Sequence, residues 1–103
     1  MKSNHPNILF LLPDQHRFDW LGCFSGPVDT PNIDMLAGEG MAFNQAYTPS
    51  PMCGPARACL ASGRSYRNCG VKSNEFNYPL SIPTYYQTLR AKGYFTAGVG
   101  KFD

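Results

Sequence analysis

The chain reads as an α/β protein with a mostly parallel sheet flanked by helices, and three observations lead to that reading. Two continuous apolar runs, Asn7-Ile8-Leu9-Phe10-Leu11-Leu12 and Phe95-Thr96-Ala97-Gly98-Val99-Gly100, have the composition of strands buried on both faces. Between them lie segments with helical spacing and recognisable ends. The resulting order of strand, helix, strand, helix, helix and strand is the alternation that pairs strands in parallel.

Each element has a local reason. The first run is closed by Pro13-Asp14, which places Asp14 just past the carboxyl end of a strand, where open α/β sheets bind their ligands. Thr30-Pro31-Asn32-Ile33-Asp34-Met35-Leu36-Ala37 offers a capping residue, proline at the first helical position and apolar residues at helical spacing, with Gly38 and Gly40 as the stop. Met41 to Tyr47 alternates loosely and is assigned as a strand. Thr48 to Pro55 runs extended through its prolines until Pro55 takes the first position of a helix capped by Gly54. Ala56 to Ser62 continues that helix and Gly63 ends it. Asn68 to Pro83 has neither period and reads as loop. Thr84 and Gln87 form a capping box, so a third helix runs to about Lys92, with Arg90 and Lys92 favoured by the macrodipole and Gly93 as the stop.

Composition bounds the function. The 103 residues are 43% hydrophobic and 14% aromatic, which is globular, and ten glycines and nine prolines without a period mark turns rather than repeats. Nine basic against seven acidic residues give a charge of +2 with no run of like sign. That balance argues against a nucleic-acid or membrane-surface partner and points to a small molecule. Four cysteines, Cys23, Cys53, Cys59 and Cys69, contain no CxxC and are too few for a disulfide scaffold, which fits a reducing compartment. The apolar run from Ile8 to Leu12 is too short for a signal peptide or a membrane span, and a cytoplasmic location is expected. Nothing marks a second domain. A sheet buried on both sides needs more covering helices than these residues supply, so the chain is expected to be the opening part of a larger domain.

The segment richest in chemistry is Cys53-Gly54-Pro55-Ala56-Arg57. A thiol sits just ahead of a helix whose free amides attract negative charge, and Arg57 lies on the first turn, so the place suits an anion. Read alone, Cys53 is either a nucleophile or a small buried hydrophobe, and Asp14 is either a metal ligand or a turn residue. His5 lies in the terminal segment and His16 has no partner apparent in sequence, and both are read as non-catalytic.

At this point the chain resembles the type I sulfatases of the alkaline-phosphatase superfamily. Their signature of Cys or Ser, any residue, Pro, a small residue and Arg, closing on Gly-Arg, is similar to Cys53-Gly54-Pro55-Ala56-Arg57-Ala58-Cys59-Leu60-Ala61-Ser62-Gly63-Arg64, with Ala61 and Ser62 as departures away from the chemistry. Asn7-Ile8-Leu9-Phe10 leading to Asp14-Gln15, Thr30-Pro31-Asn32-Ile33-Asp34, and Gly93-Tyr94 leading to Gly100-Lys101 agree in order, so the resemblance spans nearly the whole chain.

The resemblance implies an alkaline-phosphatase-like fold, incomplete in this chain, with residues 1–103 forming the N-terminal portion of the catalytic domain. It implies a sulfuric ester hydrolase in which a formylglycine-generating enzyme oxidises Cys53 to formylglycine, whose hydrated aldehyde attacks sulfur. Arg57 would hold that group and neutralise the sulfate, and Lys101 would contact the sulfate. Asn74 resembles a substrate-side residue, although the residues themselves favour a loop Asn capping its own turn. Asp14 and Gln15 would be metal ligands, with Gln15 standing where many relatives carry a second Asp. The implied ion is Ca²⁺, with Mn²⁺ or Zn²⁺ as alternatives.

Family members are several times longer, and their remaining ligands, a His acid and a second Lys lie beyond the matched segments. The isolated chain is therefore expected to bind calcium weakly and turn over poorly, with the remainder of the catalytic domain as its partner. Asp103 stands where the family's Gly-Lys-x-His segment has His. That departure keeps open a phosphonate monoester or phosphodiester hydrolase of the same superfamily, and a third reading is a non-catalytic anion-binding module.

Overall fold

Helix ends are set by local chemistry, and all three expected helices form. The computed structural model describes residues 5–102, and the chain divides into two units, Met1–Ala46 and Tyr47–Asp103. In the first unit, α1 (Pro31–Glu39) starts at its proline as read but passes through Gly38 and stops at Gly40, whose amide reaches Leu36 O at 2.9 Å. A glycine inside a helix costs only about 1 kcal/mol relative to Ala, so Gly38 weakens the helix without ending it.

Thr30 precedes α1 but turns its hydroxyl to another task. Thr30 Oγ1 accepts the Gly22 amide at 2.9 Å and donates to Asp34 Oδ1 at 2.8 Å, and the same Asp34 oxygen accepts the Cys23 amide at 2.8 Å. The start of α1 thereby anchors two short 3₁₀ turns, Phe18–Trp20 and Gly22–Phe24. Asp34 also lies in the first turn, where the helix dipole favours a carboxylate. The rings of Phe18 and Phe24 close the arrangement edge to face, 5.9 Å apart.

In the second unit, α2 (Cys53–Ser62) begins ahead of the expected start, so Pro55 is its third residue and Gly54 is inside the helix rather than its cap. Proline is harmless there because first-turn amides have no intrahelical acceptor, and the first rung is the Ala56 amide on Met52 O at 3.0 Å. Gly63, at φ +67°, ends the helix. Helix α3 (Tyr85–Ala91) keeps its expected start, where Gln87 Oε1 accepts the Thr84 amide at 2.8 Å. Its exit is a Schellman motif: Gly93, at φ +86°, donates to Arg90 O at 3.0 Å and Tyr94 to Leu89 O at 3.1 Å.

The core of this unit is small. Ala58 and Cys59 of α2 pack with Cys69 and Val71 of the following loop, Tyr78 lies against them, and Pro55 is fully buried. Burial, with the hydrogen bond and charge shared with Cys69, pushes the Cys59 thiol up from 9.0 to about 11. A thiol whose folded-state pKa is raised favours the fold only while protonated. Stability should therefore be flat below pH 9 and fall as pH rises from 9 towards 11, because the unfolded chain releases that proton first. Urea melts across that range check the sign, and a Cys59→Ala variant should lose the slope that belongs to this thiol.

The expected sheet is the principal correction. Among the described residues no strand forms over 7–12, 41–47 or 95–100. Apolar, β-branched composition favours extended backbone, but a strand exists only through a ladder with a neighbour. Here the side chains that a parallel sheet would bury face solvent, with Leu9 82% and Phe95 93% exposed. Among the described residues, no helix is long and apolar enough to cross a membrane.

Candidate functional site

The second unit gathers Cys53, Arg57, Asn74 and Lys101 around the start of α2. Cys53 is the first helical residue and half-buried, and Arg57 follows four positions later, about one turn on and on the same face. Arg57 Nη1 donates to the backbone carbonyl of Lys101 at 2.9 Å, across 44 positions of sequence. Arg57 thus ties the segment after Gly100 to the helix that begins at Cys53. The contact that brings Lys101 here is its carbonyl, while its role towards an anion would fall to its ammonium group.

Asn74 has a role that neither sequence reading contained. Its Oδ1 accepts the Gly54 amide at 2.9 Å, so it caps α2 from a loop 20 positions away rather than its own turn. Ser73 Oγ serves that turn, accepting the Glu75 amide at 3.3 Å. A side-chain contact across 20 residues follows no local period, which is why spacing does not reveal it. Gly54 leaves room at the contact, since a Cβ there would stand 3.0 Å from Asn74 Oδ1. Replacing Asn74 by Ala should cost about 1 kcal/mol, the usual cost of a lost helix cap, while Asn74→Asp keeps the acceptor and most of the stability. Denaturant melts of the two variants check this.

The electrostatics differ from the sequence reading, which placed a thiol ahead of free amides. The Gly54 amide is occupied by Asn74, Pro55 has none, and the Ala56 amide is the first rung of the helix. Positive charge for an anion therefore comes chiefly from the Arg57 guanidinium rather than from a nest of backbone donors. Beside it lies a cavity of about 210 Å³, with Gly54, Arg57 and Asn74 at a polar side and Phe76, Tyr78 and Phe102 among its apolar walls.

Asp14 and Gln15 stand in the first unit, adjacent in an exposed turn with Gln15 at φ +55°. Left-handed backbone costs a residue other than glycine about 1 kcal/mol, so this turn is held against local preference. Their oxygens are of the kind a hard cation takes, but such an ion needs about six to eight. Among the described residues no group of three or more His, Cys, Asp or Glu could hold a metal. The pair suits part of a coordination sphere and does not form a site by itself. Asp103 lies outside the described residues.

Comparison with known proteins agrees with the signature. The family model of the sulfatases matches residues 6–103. The chain is 42% identical over 98 residues to the uncharacterized sulfatase YidJ of Escherichia coli, covering 94% of this chain and 20% of that protein. It is 39% identical over 104 residues to the choline-sulfatase of Rhizobium meliloti, covering 98% and 20%. To human arylsulfatase A it is 36% identical over 104 residues, covering 94% and 20%. The chain thus spans about a fifth of the length of these curated relatives. No solved structure matches it. With the Cys53-Gly54-Pro55-Ala56-Arg57 signature on the first turns of α2 and a family match over nearly its whole length, the chain belongs to the sulfatase family.

Proposed function

We propose that this chain supplies the nucleophile-bearing part of a sulfuric ester hydrolase. The observation that carries the reading is Cys53 at the head of α2 with Arg57 one turn on, within the sulfatase signature. Cys53 is the position to be matured by a formylglycine-generating enzyme, and formylglycine supplies a nucleophile that an unmodified thiol does not replace. Arg57 binds the sulfate oxygens, its always-charged fork suiting a tetrahedral oxyanion. Lys101 adds a second positive charge on the segment that Arg57 holds. Asn74 keeps the start of α2 in place and turns its amide nitrogen to the substrate.

Asp14 and Gln15 contribute two oxygen ligands to a divalent cation, for which calcium is the reading, ahead of Mn²⁺ or Zn²⁺. With two donors from this segment, the remaining ligands come from the rest of the catalytic domain, and the substrate is a small-molecule sulfate ester. Four cysteines without a CxxC, too few for a disulfide scaffold, fit a cytoplasmic location.

Mass spectrometry of the Cys53 peptide, from a host carrying the maturation enzyme, tests the central step. Conversion to the aldehyde or its hydrate supports the reading, and an intact thiol in all of the material argues against it. Turnover of an aryl sulfate against an aryl phosphonate by the enzyme in which this segment sits separates sulfatase from phosphonate hydrolase. Neither turnover, with Cys53 unmodified, would leave the non-catalytic anion-binding module.

A further inference from the structure

The backbone around Lys101 is held on both sides. Arg57 Nη1 donates to the Lys101 carbonyl at 2.9 Å, and the next residue, Phe102, lays its ring on Gly98: a Cβ there would stand 2.5 Å from Phe102 Cζ and 2.8 Å from Cε1. With any side chain at position 98 the ring would have to leave. The chain reverses at Gly100, where it bends with φ at +111°, a region that residues with a side chain rarely adopt. Val99, between the two glycines, stands in solvent, so the apolar contact that closes the turn belongs to Phe102. The Phe102 side chain also borders the cavity beside Arg57, which Ala58 and Ala61 of α2 line as well.

We propose, resting on the reading of Lys101 as a sulfate contact, that Phe102 is a positioning residue for it. By seating its ring on Gly98 at the edge of the α2 cavity, Phe102 closes the turn over 98–102 and, with Arg57, fixes the backbone from which the Lys101 side chain reaches a bound sulfate ester.

The need arises from lysine itself. Its ammonium is a point charge on a flexible four-carbon stem, so unlike the planar fork of arginine it brings little geometry of its own. Freedom in the backbone below that stem adds to the freedom that binding must remove. Here that freedom would be large, because Gly98 and Gly100 lie in the segment and glycine loses the most on ordering. One hydrogen bond to the Lys101 carbonyl pins a single point about which the segment can still turn. The ring of Phe102 supplies the second.

Two measurements test this. In the chain itself, nuclear Overhauser contacts between the Phe102 ring and the Gly98 α-protons are expected, and Phe102→Ala should abolish them. In the enzyme in which this segment sits, Phe102→Ala and Gly98→Ala are each expected to lower kcat/KM for an aryl sulfate on the order of tenfold, the scale of ordering one residue. Gly98→Ala keeps the ring and only displaces it, so equal losses trace the effect to the seat of the ring. In a Lys101→Ala background neither change should cost more than about twofold further, the scatter of independent sites. Denaturant melts should not move, because Phe102 is 57% exposed and outside the core. Missing proton contacts, equal losses with and without Lys101, or a loss that follows the size of the ester's organic group would overturn the proposal and leave the sulfatase reading standing. A parent enzyme that turns over no sulfate ester would overturn that reading, and the role of Lys101 with it.

Discussion

Cys53→Ala is expected to lower sulfate ester hydrolysis by the enzyme in which this segment sits by on the order of 10⁴-fold or more, the scale of losing a nucleophile that acts as part of a unit. The substitution should leave the fold nearly unchanged. Cys53 is a half-buried first residue of α2, its side chain is outside the core of Ala58, Cys59, Cys69 and Val71, and alanine is a good helix former. Loss of activity with unchanged stability is therefore the signature of chemistry at position 53. Steady-state kinetics on an aryl sulfate, paired with a denaturant melt, read the two quantities separately. Activity within tenfold of the parent would rule out Cys53 as the nucleophile. A melt that shifts by several kcal/mol would instead make the residue structural, the bland reading of a cysteine near a helix start.

Gly26→Ala should be the most damaging small substitution in the first unit, costing about 3 kcal/mol or more by forced overpacking. A Cβ at Gly26 would stand 2.2 Å from the carbonyl carbon of Trp20, 2.5 Å from its oxygen and 2.6 Å from its Cα. These are backbone atoms, so no side-chain rotation relieves the clash. Gly26 cannot retreat either, because its amide holds Leu21 O at 2.9 Å. Gly38→Ala is the matched control: it lies within α1, a Cβ there meets nothing within 4 Å, and the change should stabilise by about 1 kcal/mol. Fluorescence of Trp20, the single tryptophan, reports the unfolding of this unit in both variants. Equal melts for the two would show that the close approach of Gly26 to Trp20 does not hold in solution.

Helix ends were the most legible part of the fold. Pro31 at the start of α1, Thr84 with Gln87 at the start of α3, and Gly63 and Gly93 at exits all act through atoms within a few residues, so spacing alone exposes them. Where a rule rested on one residue type it erred: Gly38 did not stop α1, and Pro55 marked the third residue of α2 rather than the first. The loop from Asn68 to Pro83, patternless in sequence, turned out to carry Cys69 and Val71 of the core and the Asn74 cap.

The runs at 7–12 and 95–100 show the opposite balance. Membership of the sulfatase family implies an alkaline-phosphatase-like fold, in which such runs belong to a sheet, yet among the described residues they form no ladder. Their composition expresses a demand for burial. Whether it is met depends on neighbours, which the run itself cannot supply.

Amino-acid order alone was enough to identify the family and to single out Cys53 and Arg57 as candidates, because the signature is contiguous and these two positions lie about one turn apart on a helix. Three-dimensional packing alone assigned Arg57 to the Lys101 carbonyl, Asn74 to the Gly54 amide and Cys59 to the core cluster that holds Cys69. Those assignments join residues 44, 20 and ten positions apart, and hydrogen bonds and core contacts act over a few ångströms of space with no regard to distance along the chain.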